Sequence, residues 1–235
     1  MPNVAGKLPP TVTPSNSGWR QHFRLVASQF PPISLFEDYV DADLLHAAFL
    51  IEARTNPRLR GEAGELSLVA KEDYVLGQGA SPVMAAFTHI GKSSRFTDGS
   101  FGVYYAAKTL DTAITEVKFH RERFLSFTKE PPLQLTLRSY IGKIKKPLLD
   151  IRSKPYKQYL NPDIKTYPRC QKFSARLRAT SVFGLLYPSV RHKGSECVAF
   201  YRPPAVGIPV QGKHIAMHWD GATISSVYEL KKMSQ

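Results

Sequence analysis

Between Ser93 and His120, in SSRFTDGSFGVYYAAKTLDTAITEVKFH, the spacing of apolar residues changes from period two to a period near 3.6. Such a change dictates a strand that runs almost directly into a helix. Asp98-Gly99 is a tight-turn signal, because glycine accepts the positive φ that such turns need, and it separates Arg95-Phe96-Thr97 from Phe101 to Ala107. The expectation is a hairpin over 95–107. In its second strand Phe101, Val103 and Tyr105 share one face while Gly102, Tyr104 and Ala106 share the other, so a cleft on one face receives only one of the tyrosines.

After Ala107, the residues Leu110, Ala113, Ile114 and Val117 follow the i, i+3, i+4, i+7 spacing of an amphipathic helix. Thr109 suits the N-cap and Asp111 the first turn. Glu116 lies beside the apolar stripe and His120 one turn on, which sets both at the rim between helix and sheet. A Glu four residues before a His is, on its own, more often a solvated pair than a site.

The surroundings change that balance. Arg95 to Tyr105 is ten residues, Tyr105 to Glu116 eleven and Glu116 to His120 four, and a later segment, GLLYPSVRHKGSECVAFYRP, carries Tyr187, Pro188, Ser189 and Val190. Together with Arg24 in HFRLVASQFPP, this order and spacing resemble the RES-domain family, bacterial toxins named for an arginine, a glutamate and a serine. The resemblance runs from Phe23 to Pro204; it departs from many members at Ser94, where they carry glycine, and in a long insert over about 38–88.

The resemblance implies an α+β fold with the split β-sheet of ADP-ribosyltransferases, and action on NAD as a substrate that is consumed, with no cofactor and no metal. It also implies a partner, a helix-turn-helix antitoxin of the Xre type whose tail blocks the cleft. The residues suit the chemistry that the resemblance implies. Breaking the nicotinamide–ribose bond builds positive charge on the sugar, which a nearby carboxylate steadies, and Glu116 is the candidate. Arg95 offers a planar fork for the diphosphate or ribose, and Tyr105 a flat face for nicotinamide. Ser189 lacks a nucleophile elbow and is expected to hydrogen-bond the ligand or the glutamate. Arg24, Arg191 and His120 are expected to hold phosphate or brace Glu116, although salt bridges within the fold would explain them equally. Within the enzyme class, cleavage by water or phosphate has one rival: transfer of ADP-ribose to a protein acceptor.

The chain has 235 residues, enough for one well-cored domain, here expected over 21–235 after a flexible or surface-draped arm over 1–20 that carries prolines at 2, 9, 10 and 14. No run of about 18 apolar residues suggests a membrane span, and the first residues have no apolar signal-peptide core, so the expected location is the cytoplasm. Cys170 and Cys197 are too few for a disulfide framework and are expected in the core. A formal net charge of +13 calls for an anionic partner. The lysines and arginines are dispersed, with only Lys143, Lys145 and Lys146 tightly clustered, which argues for a nucleotide and an acidic protein over direct nucleic-acid binding. No Gly-x-Gly-x-x-Gly follows a strand and no His-Glu-x-x-His exists, which sets aside a Rossmann fold and a zincin.

The remaining elements are read more simply. Strands are expected at His22 to Val26, Leu133 to Leu137, Leu148 to Ile151, Val182 to Tyr187 and Cys197 to Tyr201, with a hairpin at Asp220-Gly221. Ser34 to Glu37 has the form of a capping box, followed by an apolar helical pattern through Leu44, Leu45, Ala48, Phe49 and Ile51. The glycines between 61 and 91 suggest either short pieces lying over the mouth of a site or an irregular insert. Cys170, Phe173 and Leu177 mark a further helix.

Overall fold

The structure, a computed structural model, describes residues 8–28, 37, 41–47, 64–231 and 233. Among them runs one nine-stranded sheet in the order β1-β5-β6-β7-β3-β2-β4-β8-β9. The strands are β1 (Thr11–Val12), β2 (His22–Ala27), β3 (Tyr104–Ala107), β4 (Leu133–Gly142), β5 (Leu148–Asp150), β6 (Gly184–Pro188), β7 (Glu196–Phe200), β8 (Val210–Trp219) and β9 (Ile224–Leu230). Only β5 and β6 pair in parallel; every other pairing is antiparallel. The helices are α1 (Ser81–Thr88), α2 (Leu110–Leu125) and α3 (Tyr167–Arg178). The fold is α+β, with strands and helices not alternating.

The sheet is split at its centre. Whereas β2 pairs with β4 at six positions and β3 with β7 at four, β2 and β3 meet only at Phe23 and Ala107. Below that pair the two strands diverge, and α2 lies across both. Because strand side chains alternate, the sheet serves two cores. Tyr104, Ala106, Val198 and Phe200 face one, where Val83, Met84 and Phe87 of α1 cover them. Ala107, Cys197, Ala199 and Leu137 face the other, with Ala113 and Leu125 of α2 and Cys170 and Leu177 of α3. Val83, Met84 and Phe87 are essentially fully buried, worth roughly 1.5–3 kcal/mol each, which is ample to fix an eight-residue helix.

Three expectations change here. The hairpin over 95–107 does not form: β3 pairs with β7 and β2, and residues 94–97 close only a local turn through a Ser94–Thr97 bridge. The groups that a hairpin ladder would use are taken by a side chain, since Thr97 Oγ1 donates to Phe101 O and accepts from Gly99 N. Gly102 fixes the path further. A Cβ there would stand 2.3 Å from Ala86 O, so the segment runs hard against the backbone of α1 and turns away from 95–97.

Second, the part of the insert from 64 to 88 does not lie over the cleft. Its Leu66, Val69 and α1 fill the opposite core, and a buried Asp73 is clamped by Arg202 at 2.6 and 2.7 Å. Glycines 77, 79 and 91 punctuate this stretch, but the i, i+1, i+4 pattern of Val83, Met84 and Phe87 between them forms a buried helix face. Third, the expected arm is docked from residue 11 on, where β1 pairs with β5 and the indole of Trp19 donates to Glu196 Oε2 at 2.9 Å. Residues 42–47 are helical; Ser34 and the stretch from Ala48 to Ile51 lie outside the described residues.

A cationic cleft at the split of the sheet

The divergence of β2 and β3 under α2 opens a cleft of about 760 Å³. One wall is the stripe of α2 at Ala113, Glu116, Val117, His120, Arg121 and Phe124, spaced i, i+3, i+4, i+7, i+8, i+11. The Thr109 side chain caps this helix, accepting from Thr112 N as the sequence leads one to expect. Phe23, Arg24 and Leu25 of β2, Tyr105 to Ala107 of β3, and the turn from Lys92 to Arg95 form the other wall, with Tyr187 and Cys197 at the floor.

Glu116 is held from behind. Ser189 sits in the turn between β6 and β7, where its Oγ accepts N–H bonds from Arg191 at 3.2 Å and His192 at 2.9 Å. With its acceptor capacity used, the hydroxyl donates its proton to Glu116 Oε1 at 2.6 Å. The Cys197 thiol donates to the same oxygen at 3.7 Å and is kept protonated by burial and by that carboxylate. Among the described residues nothing donates to Glu116 Oε2, which is left for the cleft.

Arg95 is no surface arginine. It is 6% exposed; its Nη1 donates to Asn161 O at 2.8 Å and Tyr159 O at 3.3 Å, and the guanidinium lies 4.8 Å from the centre of the Tyr167 ring. The turn that carries it is bolted at both ends. The Tyr105 hydroxyl bonds Ser94 Oγ at 2.8 Å and accepts from Phe96 N at 3.0 Å, and Gln171 Nε2 of α3 donates to Ser94 O at 2.8 Å. Burial raises the Tyr105 pKa, so the phenol stays protonated and aims Arg95 as well as lining the cleft. Tyr104 points the other way, into the first core.

Arg24 bridges the split. Its Nη1 donates to Tyr105 O at 3.1 Å, its guanidinium stacks 4.4 Å from the Tyr104 ring centre, and its buried Nε has no partner. Burial lowers its pKa, and no carboxylate among the described residues pairs with it. His120 also lines the cleft, with its ring partly open to solvent; desolvation together with Arg191, Arg95 and Arg123 lowers its pKa to about 4, which leaves it neutral near pH 7.

Of the expected residues, Glu116, Arg95, Tyr105, Arg24 and His120 therefore converge on one cavity, and Ser189 stands directly behind Glu116. Arg191 does not line it: its guanidinium packs 3.5 Å over Phe119 and donates to Pro162 O. Phe119 is not part of the cleft lining, and the contact with it holds the Arg191 guanidinium outside the cavity. Sequence reasoning passed over Lys92, Arg121, Arg123, Phe124 and Phe127. Extending the spacing of the α2 stripe by one further turn would have found Arg121 and Phe124.

A model of the RES domain matches residues 69–220, well over half of the chain and all of the cleft except β2. The chain belongs to the RES family. An uncharacterized protein, y4oC of Sinorhizobium fredii, is 29% identical over 209 residues, covering 88% of this chain and 86% of that protein. A crystal structure of the M. tuberculosis MbcT-MbcA toxin-antitoxin complex is similar over 55% of this chain and 73% of that one, at 15% identity and a TM-score of 0.37, a likeness from which no shared activity follows. The matched span begins at Val69 and so includes α1 and both residues of the Asp73–Arg202 clamp.

Proposed function

We propose that this RES domain is the toxin of a toxin-antitoxin pair and that it breaks the nicotinamide–ribose bond of NAD. The observation that carries the reading is the charge arrangement of the cleft: among the described residues its lining has a single carboxylate, Glu116, together with Arg24, Lys92, Arg95, Arg121 and Arg123. A dianionic diphosphate suits the arginines, and a sugar that develops positive charge suits the carboxylate. In the bond-breaking step the C1′–N pair leaves with nicotinamide, neutralising its ring, and the ribose becomes an oxocarbenium-like cation beside Glu116. Water or phosphate then bonds to C1′, water releasing a proton to solvent, which discharges the cation. Ser189 keeps the carboxylate aimed, and Arg95, tied to two carbonyls, is fixed before the ligand arrives.

Water and phosphate are the acceptors we propose, with NAD consumed as substrate and its loss as the toxic event. The partner is an acidic antitoxin of the Xre helix-turn-helix type, which the net charge of +13 suits. Nicotinamide release from NAD by the purified protein, with phosphate present and absent and with a protein acceptor added, tests the reading. Release without labelled protein supports it; label transferred to protein converts it to ADP-ribosyl transfer, and no NAD consumption by folded protein overturns it.

A further inference from the structure

Along α2 the cleft changes character in a fixed order. Glu116 comes first, then His120, Arg121 and Arg123, then Phe124, with Phe127 in the turn after the helix. From Glu116 to Phe124, eight positions on, the helix axis advances about 12 Å. Phe124 is 61% and Phe127 77% exposed, large values for two phenylalanines that share a cavity wall.

Their exposure is not that of a frayed end. Leu125, between them, is 4% exposed in the core, and Glu122 Oε1 accepts from Ile224 N of β9 at 2.8 Å. The following turn is closed by Phe127 N to Phe124 O at 3.2 Å and Thr128 N to Leu125 O at 2.8 Å. Arg123 lies 5.5 Å from the Phe127 ring centre, and neither Arg121 nor Arg123 forms an ion pair among the described residues. Two held aromatic faces, with unpaired guanidinium groups between them and the acid, lie within the same cleft.

We propose that Phe124 and Phe127 form a base-stacking subsite that takes the adenine end of the dinucleotide, with Arg121 and Arg123 along the path of the diphosphate and second ribose. The inference rests on the reading that the cleft takes NAD. Acid, cations and aromatics follow the order of scissile ribose, diphosphate and base in the substrate. A purine has a flat face for each ring, and the adjoining guanidinium groups favour a ligand that reaches the rim through phosphates. A protein partner would use the rings as an apolar anchor and leave the cations inside the cleft without a role.

The test compares NAD with nicotinamide mononucleotide, which has the same scissile bond and lacks the adenylate half. Wild-type protein should favour NAD by kcat/KM, and in the Phe124→Ala/Phe127→Ala double variant that ratio should fall by roughly tenfold, through KM for NAD and not through kcat. Both rings are exposed, so the thermal transition should stay in place. An unchanged ratio overturns the subsite, as does a variant that keeps its NAD kinetics but loses a protein partner. Should neither nucleotide be cleaved, calorimetry with ADP-ribose against ribose 5-phosphate separates the two ideas. Binding of ADP-ribose that weakens about tenfold in the variant keeps the subsite and removes only the cleavage reading; equal or absent binding removes the subsite.

Discussion

Arginine is used differently around the scaffold and in the cleft. Arg202 clamps Asp73 with two bonds of 2.6 and 2.7 Å, and Arg152 grips Asp150 while reaching Glu196 at 2.6 Å. In the cleft, Arg24 and Arg95 are held by carbonyl oxygens and tyrosine rings, with no carboxylate at either among the described residues. Carbonyls and rings fix a guanidinium in place without neutralising it. The scaffold's arginines are thus complete in the free protein, while those of the cleft await an anion, and the fold bears the desolvation of Arg24 in the meantime.

The sharpest way to break this comparison is at the one acid of the cleft. Glu116→Gln keeps the size of the side chain and an oxygen for the Ser189 hydroxyl, yet removes the charge, so NAD turnover should fall by roughly 100-fold or more at an unchanged thermal transition. Nicotinamide release near wild-type rates would detach Glu116 from the chemistry.

Next, the scaffold side of the comparison predicts a loss of stability without a kinetic effect. Asp73→Ala leaves Arg202 partly buried and unpaired and should cost about 1–3 kcal/mol in denaturant unfolding, with KM for NAD little changed. The cleft side predicts the reverse. Arg24→Met should leave the free protein as stable or up to about 2 kcal/mol more stable, while weakening ADP-ribose binding measured by calorimetry. A destabilised Arg24→Met protein with intact binding would move Arg24 into the scaffold class.

The smallest effect concerns His22, fully buried beneath Arg24 with neither ring nitrogen partnered. Burial, and secondarily Arg24, lowers its pKa to about 3. The folded pKa lies below the unfolded value of about 6.5, so the unfolded chain takes up the proton first and stability drains as pH falls below 6.5 toward 3. The slope from this group is at most about 1.4 kcal/mol per pH unit. His22→Phe should flatten the unfolding free energy between pH 6.5 and 5 by that amount, and an unaltered pH profile would show that the imidazole is not the group responsible.

Much of the site was legible because its parts are local. The α2 stripe, the Thr109 cap and the spacing from Glu116 to His120 depend on helical period and on a single hydroxyl, and the structure keeps all three. The hairpin expected at Asp98-Gly99 does not form, because a turn signal states where the chain can bend and not what the flanking residues pair with. Thr97 and the contact of Gly102 with α1 settled that instead. The docking of residues 11–19 was equally hidden, since Trp19 meets its acceptor Glu196 across 177 residues.

By itself, then, the sequence determined the helix that presents Glu116, the strand positions that send Tyr104 and Tyr105 to opposite faces, and an order of motifs specific enough to point to the RES family. Tertiary structure decided what those residues touch. Ser189 reaches Glu116 over 73 positions, and Arg95 finds its carbonyls 64 and 66 positions on. It also drew Arg191 out to Phe119 and left Phe124 and Phe127 bare at the rim. Periodicity and capping are written in neighbouring residues, whereas charge compensation depends on which distant groups the sheet brings within 3 Å, and no local pattern encodes that.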